Sequence, residues 1–398
     1  MPGNIIIKSN RIVTPGGITG GCIVVKKGKI NEISDSTAIP EVRGGTGEIF
    51  DAGDNYVVPG FVDLHIHGAG GYEVMADSEE VKKLARYLAA RGTTSFFATT
   101  GTVPISKLIS AINGITGAIE YQKDAPEAEI LGIHLEGPFV NVAEKGAFSP
   151  EFILPGSVEV MKELEEACRG HLARVTLAPE IKGGMEVTEY LREQDYLVAG
   201  GHTDASYEET MAGISAGISI ANHMFNAMRG LHHRKPGAAG AYLVSEDVTC
   251  EVIGDFIHVH PGVIKMLFRS KGEDGVYLIS DAVIAAGLEP GKYNFDGREI
   301  FVDSDGISRL ADGTIAGSTF LLKDGLKNII DGLGLSLEEA VRFTSENPAR
   351  VANVYHRKGA LAPGKDADIV VLDENYNVRK SFVMGKEVAE QNERNKYG

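Results

Sequence analysis

Short apolar runs recur along the middle of the chain, most of them closed by glycine, proline or a polar residue. The run at 61–67 (Phe-Val-Asp-Leu-His-Ile-His) follows Pro59-Gly60, is closed by Gly68, and reads as a buried strand. The pattern then changes period: across 78–91, Val81, Leu84, Ala85 and Leu88 share one helical face. A strand is expected at 93–100, a helix at 104–121, a strand at 129–136 and a helix at 157–169. A strand at 174–180 and a helix at 186–193 come next, then strands at 197–202, 218–223, 250–258 and 276–281. Eight apolar runs alternating with helical segments predict a parallel sheet closed into a (β/α)8 barrel, an α/β fold. The polar stretch 287–313 carries strand and turn signals and is expected as a β-hairpin inserted after the eighth strand; helices near 319–332 and 336–344 end the barrel.

The two ends differ from the middle. Residues 1–55 hold β-like runs broken by glycine turns, and 358–398 hold two more, at 368–373 and 378–383. Both ends are expected to combine into one small β-sandwich beside the barrel, which occupies 56–357.

Composition narrows the function classes. A chain of 398 residues with 43% hydrophobic residues has ample core for a large domain. Its net charge of −16 offers no basic excess for phosphate backbones or anionic lipid, so neither nucleic acid nor a membrane surface is an expected partner. Cys22, Cys168 and Cys250 are scattered and odd in number, as suits unpaired thiols in a reducing compartment; with no signal-peptide pattern and no apolar stretch long enough to span a bilayer, a cytoplasmic location is expected. Gly359 to Asp366 nearly spells a phosphate-binding P-loop, but aspartate replaces the required hydroxyl residue and an apolar β-run follows instead of a helix.

The chemistry gathers at strand ends. His65 and His67, two apart on a strand, project from one face. Glu136, His202, His223 and Asp281 stand at the ends of later apolar runs, which in a parallel barrel form one ring around one site. Imidazoles with a carboxylate suit a zinc-like or iron-like ion better than magnesium or calcium. The densest basic patch in this acidic chain, His232 to Lys235, offers Arg234 for an anionic group such as phosphate.

These blocks carry a family likeness. Residues 59–67 and 358–371 resemble the two ends of an amidohydrolase-superfamily chain. His134-Leu-Glu-Gly-Pro-Phe139, Gly201-His-Thr-Asp-Ala205, His223-Met-Phe-Asn-Ala-Met228, Arg234-Lys-Pro-Gly237 and Ser280-Asp-Ala282 are similar to blocks of that superfamily's N-acetylhexosamine-phosphate deacetylases. The resemblance implies a distorted (β/α)8 barrel beside a β-sandwich, with Glu136, His202 and His223 holding a catalytic divalent metal, zinc or iron. It implies hydroxide formed on that metal as nucleophile and Asp281 as general base and acid. His65 and His67 match the pair used by binuclear members, so one or two metals are expected, two being bridged by Glu136, with Asp281 also counted among the metal-site residues. No lysine follows the fourth strand, where Ala178-Pro179-Glu180 stands in place of the carbamate-forming residue of other members.

For substrate, the resemblance implies N-acetyl-D-glucosamine 6-phosphate, cleaved to acetate and D-glucosamine 6-phosphate. It gives Arg234 a phosphate contact across a homodimer interface, with Asn226 and Ala227 nearby. His258, in the block Asp255 to His258, would orient the acetamide carbonyl; Ala147 and Phe148 occupy a substrate loop, and Ile315, Ala316 and Gly317 line the sugar. Phe148 departs from the pattern, replacing a histidine of some members with a ring that donates no hydrogen bond. Two alternatives stay open: deacetylation of another N-acylated substrate, such as N-acetylgalactosamine 6-phosphate or an N-acyl amino acid, and a non-catalytic sugar-phosphate sensor.

Overall fold

The computed structural model describes residues 4–35, 48–122 and 125–389; parts of the expected terminal segments 1–55 and 358–398 therefore lie outside the described residues.

Eight parallel strands pair in sequence order: β1 (Phe61–Ile66), β2 (Thr93–Thr100), β3 (Glu129–Glu136), β4 (Leu172–Leu177), β5 (Leu197–Gly200), β6 (Ile220–Ala221), β7 (Thr249–Ile253) and β8 (Val276–Ile279). The ring closes just past β8, where Asp281 N–H donates to His65 O and His67 N–H donates to Ala282 O, each at 2.9 Å. Helices α1 (Ser78–Ala89), α2 (Ile105–Tyr121), α3 (Val158–Ala167), α4 (Gly184–Glu193), α5 (Tyr207–Ala216), α6 (Gly237–Val244), α7 (Pro261–Lys271) and α8 (Leu322–Leu333) follow the strands in turn. Two apolar layers result. One joins strands to helices; the other, with Val62, Leu64, Phe97, Ala199, Ile220, Ile253, Tyr277 and Ile279, contains no residue of α1–α8 and fills the barrel lumen.

Several boundaries move from their sequence expectations, each for a local reason. The run at 250–258 stops at Ile253 because the Asp255 carboxylate accepts from the amides of Ile257 and His258, both at 2.9 Å, and turns the chain. The run at 174–180 ends at Leu177, leaving Glu180 in a loop, and 218–223 keeps only Ile220–Ala221 as strand. α5, α6 and α7 escape the sequence reading; α6 is nearly uniformly apolar and small, with no polar face to betray its period. The expected helix at 336–344 begins at Ser336, whose side chain caps it, and passes through a π-helical turn at Arg342–Glu346.

The expected hairpin is a three-stranded insertion of Gly291–Phe295, Arg298–Val302 and Ser308–Arg309. It has its own small core of Phe295, Ile300 and Val302 packed on Val283, Ala285 and Ala316. The terminal segments meet in one continuous sheet, where Ile369–Leu372 pairs antiparallel with Tyr56–Pro59. An irregularity between Ser9 and Ile12 lets the strand Ile5–Thr14 serve two neighbours, Glu48–Asp51 along its first half and Tyr56–Pro59 beyond.

Candidate active site

Six side chains converge where the barrel strands end. Glu136 is their centre: its Oε1 stands 3.3 Å from His65 Nε2, 3.3 Å from His202 Nε2 and 3.2 Å from His223 Nε2. Its Oε2 lies 3.2 Å from His67 Nε2. Asp281 Oδ1 faces His65 and His67 at 3.4 and 3.3 Å. The six divide into two groups, Glu136–His202–His223 and His65–His67–Asp281, each with ligand atoms within 4.8 Å of one another. All six are buried. His202, His223 and Asp281 follow their strands with positive φ of 46°, 24° and 48°. Ordinary residues avoid this conformation, and held here it turns each side chain inward at the strand end.

The donor set suits a cation. His202 Nδ1 stands 2.9 Å from Glu144 O and His223 Nδ1 stands 3.1 Å from Asn226 O. A carbonyl accepts only, so each neutral ring carries its proton on Nδ1 and turns a bare Nε2 inward. Those two Nε2 atoms are 3.1 Å apart and both face a carboxylate oxygen. Three acceptors aimed at one another are mutually repulsive unless a positive ion lies among them. A divalent metal bound by Glu136, His202 and His223 meets that condition, with three protein ligands leaving a position open.

The second group fits less completely. His65 Nδ1 stands 2.8 Å from Glu251 Oε1, which leaves its Nε2 as ligand, whereas His67 Nδ1 is buried with no hydrogen-bond partner among the described residues. Burial works against charge on these rings, yet the carboxylates of Glu136, Glu251 and Asp281 hold His65 well above the usual imidazole range. Hydrogen bonds to Asp281 and Glu136 overcome burial at His67 and raise it to about 9. Burial likewise opposes ionisation of Glu136, but the charge of His65 holds it well below the usual carboxylate range. The facing carboxylates give the site a negative potential that suits a cation.

A cavity of about 190 Å3 opens over five of the six, with His65 lying beneath its lining. Of the residues expected at the substrate, Ala147, Phe148, Asn226, Ala227, His258, Ile315 and Gly317 line it. Asp255 and Ala316 are buried just outside that lining, at 6% and 0% exposure. Asp255 holds His258: its Oδ2 stands 2.6 Å from His258 Nδ1, and although burial opposes charge on the ring, that hydrogen bond together with the charges of Asp255 and Asp281 raises the imidazole pKa. Phe148 lies with its ring centroid 4.6 Å from that of His202. Arg234 is exposed on the turn His232–Lys235, with NH1 2.7 Å from His233 Nε2, and does not line the cavity of its own chain.

Sequence reasoning missed a supporting layer. Arg174, fully buried, donates to Glu251 Oε2 at 2.6 Å and to Asn222 Oδ1 at 2.5 Å. Asn222 in turn donates to Glu136 Oε1 at 2.9 Å. Glu180 ties loops together, accepting from Asn141 Nδ2, Thr203 Oγ1 and the Asp204 amide at 2.9, 2.6 and 2.8 Å. Phe295, from the insertion, lines the cavity and packs edge-on to His67 at 5.8 Å. The available signal was a charged residue inside an apolar run, as at Arg174 and Glu251.

A parallel eight-stranded barrel carrying histidines and carboxylates that could hold a metal at the ends of its strands has the architecture of a metal-dependent hydrolase. Residues 56–388 match the model of the amidohydrolase family, and the chain belongs to that family. An N-acetylglucosamine-6-phosphate deacetylase of Bacillus subtilis is 35% identical over 388 residues, spanning 97% of this chain and 97% of the relative. An N-acetylgalactosamine-6-phosphate deacetylase of Escherichia coli O157:H7 is 35% identical over 329 residues, 82% of this chain and 86% of that one. Among solved structures, a mutant N-acetyl-D-glucosamine-6-phosphate deacetylase from Mycobacterium smegmatis in complex with N-acetyl-D-glucosamine-6-phosphate superposes with a TM-score of 0.89. It is 29% identical, and the match covers 98% of this chain and 100% of that one.

Proposed function

We propose that the protein is a metal-dependent deacetylase that hydrolyses N-acetyl-D-glucosamine 6-phosphate to D-glucosamine 6-phosphate and acetate. The observation that carries the reading is the convergence of Glu136, His202 and His223 on one point at the floor of a sugar-sized cavity, with Asp281 beside them. The near full-length similarity to deacetylases of that substrate supports it. Zinc or iron suits these ligands, and the His65–His67–Asp281 group supports a second ion. A bound divalent ion lowers the pKa of its water and polarises a carbonyl oxygen.

The residues then divide the work. His258, fixed by Asp255 through Nδ1, turns its remaining ring nitrogen to hydrogen-bond the acetamide oxygen. Asp281 takes a proton from the attacking water and returns one to the leaving nitrogen. Phe148, Val283, Phe295 and Ile315 supply apolar wall that excludes bulk water from the reacting bond. No lysine or arginine lines the cavity among the described residues, which supports a phosphate contact from Arg234 of a second copy in a homodimer. The three buried free cysteines support a cytoplasmic setting, and no helix among the described residues is long and apolar enough to cross a membrane.

A second reading has a specific basis, since a galactosamine-epimer deacetylase is as similar in identity as the glucosamine one. Acetate release from a panel of N-acetylglucosamine 6-phosphate, N-acetylgalactosamine 6-phosphate, unphosphorylated N-acetylglucosamine and an N-acetyl amino acid decides between them. The proposal expects the highest kcat/KM for the first; a higher value for any other assigns that substrate instead.

A further inference from the structure

Beneath the six converging side chains, one fully buried carboxylate reaches both metal-ligand groups. Glu251 Oε1 lies 2.8 Å from His65 Nδ1 and also accepts the backbone N–H of His223 at 2.8 Å. Its other oxygen accepts from Arg174 at 2.6 Å and from the Tyr277 hydroxyl at 3.1 Å. Glu251 and Arg174 are both 0% exposed, and removing a carboxylate and a guanidinium from water is costly unless they pair and saturate their hydrogen bonds. Both conditions hold for Glu251, whose two oxygens each take two donors. A neutral residue would fill the lumen at less cost, so the placement calls for a role beyond packing.

The two groups depend on Glu251 unequally. His202 and His223 have their own anchors, since the carbonyls of Glu144 and Asn226 fix their Nδ1 protons. For His65 the Nδ1 partner is Glu251. If that proton moved to Nε2, the ring would present N–H where a ligand lone pair is needed. Resting on the two-metal reading above, we infer that Glu251, oriented by Arg174, is a positioning residue that fixes His65 as the Nε2 ligand and thereby sets occupancy of the His65–His67–Asp281 metal position. The Glu136–His202–His223 position is largely independent of it.

Zinc titration of chelator-stripped protein, with bound metal counted directly, tests this on four chains: parent, Glu251→Gln, His65→Asn and the double variant. Changes behind a ligating histidine typically weaken metal binding by about 10- to 100-fold. The parent is expected to bind two equivalents. Glu251→Gln should weaken one of them by that factor and the other by less than about threefold. His65→Asn should bind one equivalent, which addition of Glu251→Gln leaves within the same threefold.

Equal weakening of both equivalents by Glu251→Gln, or weakening of the remaining one in the His65→Asn background, would show a merely structural role and overturn the inference. So would two undisturbed equivalents in Glu251→Gln. One equivalent in the parent at saturating zinc would overturn the two-metal reading itself, and the inference with it. Because Glu251→Gln leaves Arg174 facing an amide, a variant that fails to fold is replaced by Glu251→Asp, which keeps a charge for Arg174 but withdraws the carboxylate from His65 Nδ1; the same selective loss is expected, and an even loss overturns the inference.

Discussion

The ε nitrogens of His202 and His223 face each other at 3.1 Å while their δ nitrogens are committed to the carbonyls of Glu144 and Asn226. Committed that way, the two rings turn their lone pairs toward one point, which a cation would satisfy. Zinc added to chelator-stripped protein should therefore raise Tm, with about 2.7 kcal/mol of stabilisation at a hundredfold excess over Kd. Differential scanning calorimetry over a zinc series checks this; a Tm that ignores zinc would remove the metal from the account.

Asp281 sits against His65 and His67 and lines the cavity. Asp281→Asn keeps size and one oxygen but cannot carry the proton. It should lower kcat by about 10²- to 10⁴-fold while substrate binding, measured by titration, stays near that of the parent. Turnover near the parent's would take Asp281 out of the chemistry.

Arg234 is exposed and absent from its own cavity. Arg234→Ala should cost about 1.5–3 kcal/mol, or roughly 10- to 100-fold in kcat/KM, on phosphorylated sugar and far less on the unphosphorylated one. If the arginine crosses between subunits, mixing the impaired Arg234→Ala and Asp281→Asn chains should raise activity above that of either alone in mixed dimers. Equal losses on both substrates would contradict a phosphate role.

Glu73 and Asp296 join the barrel to the tip of the insertion, where the Asp296 amide donates to Glu73 Oε1 at 3.4 Å. Burial first, and the Asp296 charge second, raise the Glu73 pKa from 4.5 to about 7. Between those values the folded chain binds a proton that the unfolded chain does not, so this group's stabilisation is complete below pH 4.5 and lost as pH rises through about 7. Glu73→Gln keeps the acceptor and removes the ionisation. Its Tm relative to the parent should climb between pH 5 and pH 8; a constant difference would show that Glu73 titrates normally.

What the sequence showed follows from what each feature needs. The convergence of the strand-end histidines and carboxylates was legible because an apolar run that stops at such a residue is a local pattern, and a parallel barrel carries all such ends to one face. The layer of Arg174, Asn222 and Glu251 was not, because their partners lie on other strands and only the closed barrel brings them together. α6 hid because nothing in its run of small apolar residues is polar enough to mark a face. Glu180 reads in the sequence only as part of the stretch without a lysine after the fourth strand; its clamp on Asn141, Thr203 and Asp204 needs loops that are distant in sequence.

The central claim is that the ion held by Glu136, His202 and His223 is what makes this chain a deacetylase of N-acetylglucosamine 6-phosphate. Acetate release by chelator-stripped protein, measured as zinc is added stepwise, tests it most directly. The account predicts negligible release without metal and a rise in proportion to the first equivalent bound, with glucosamine 6-phosphate formed mole for mole. Full acetate release from protein shown to be free of metal, or none from protein shown to hold it, would contradict the account.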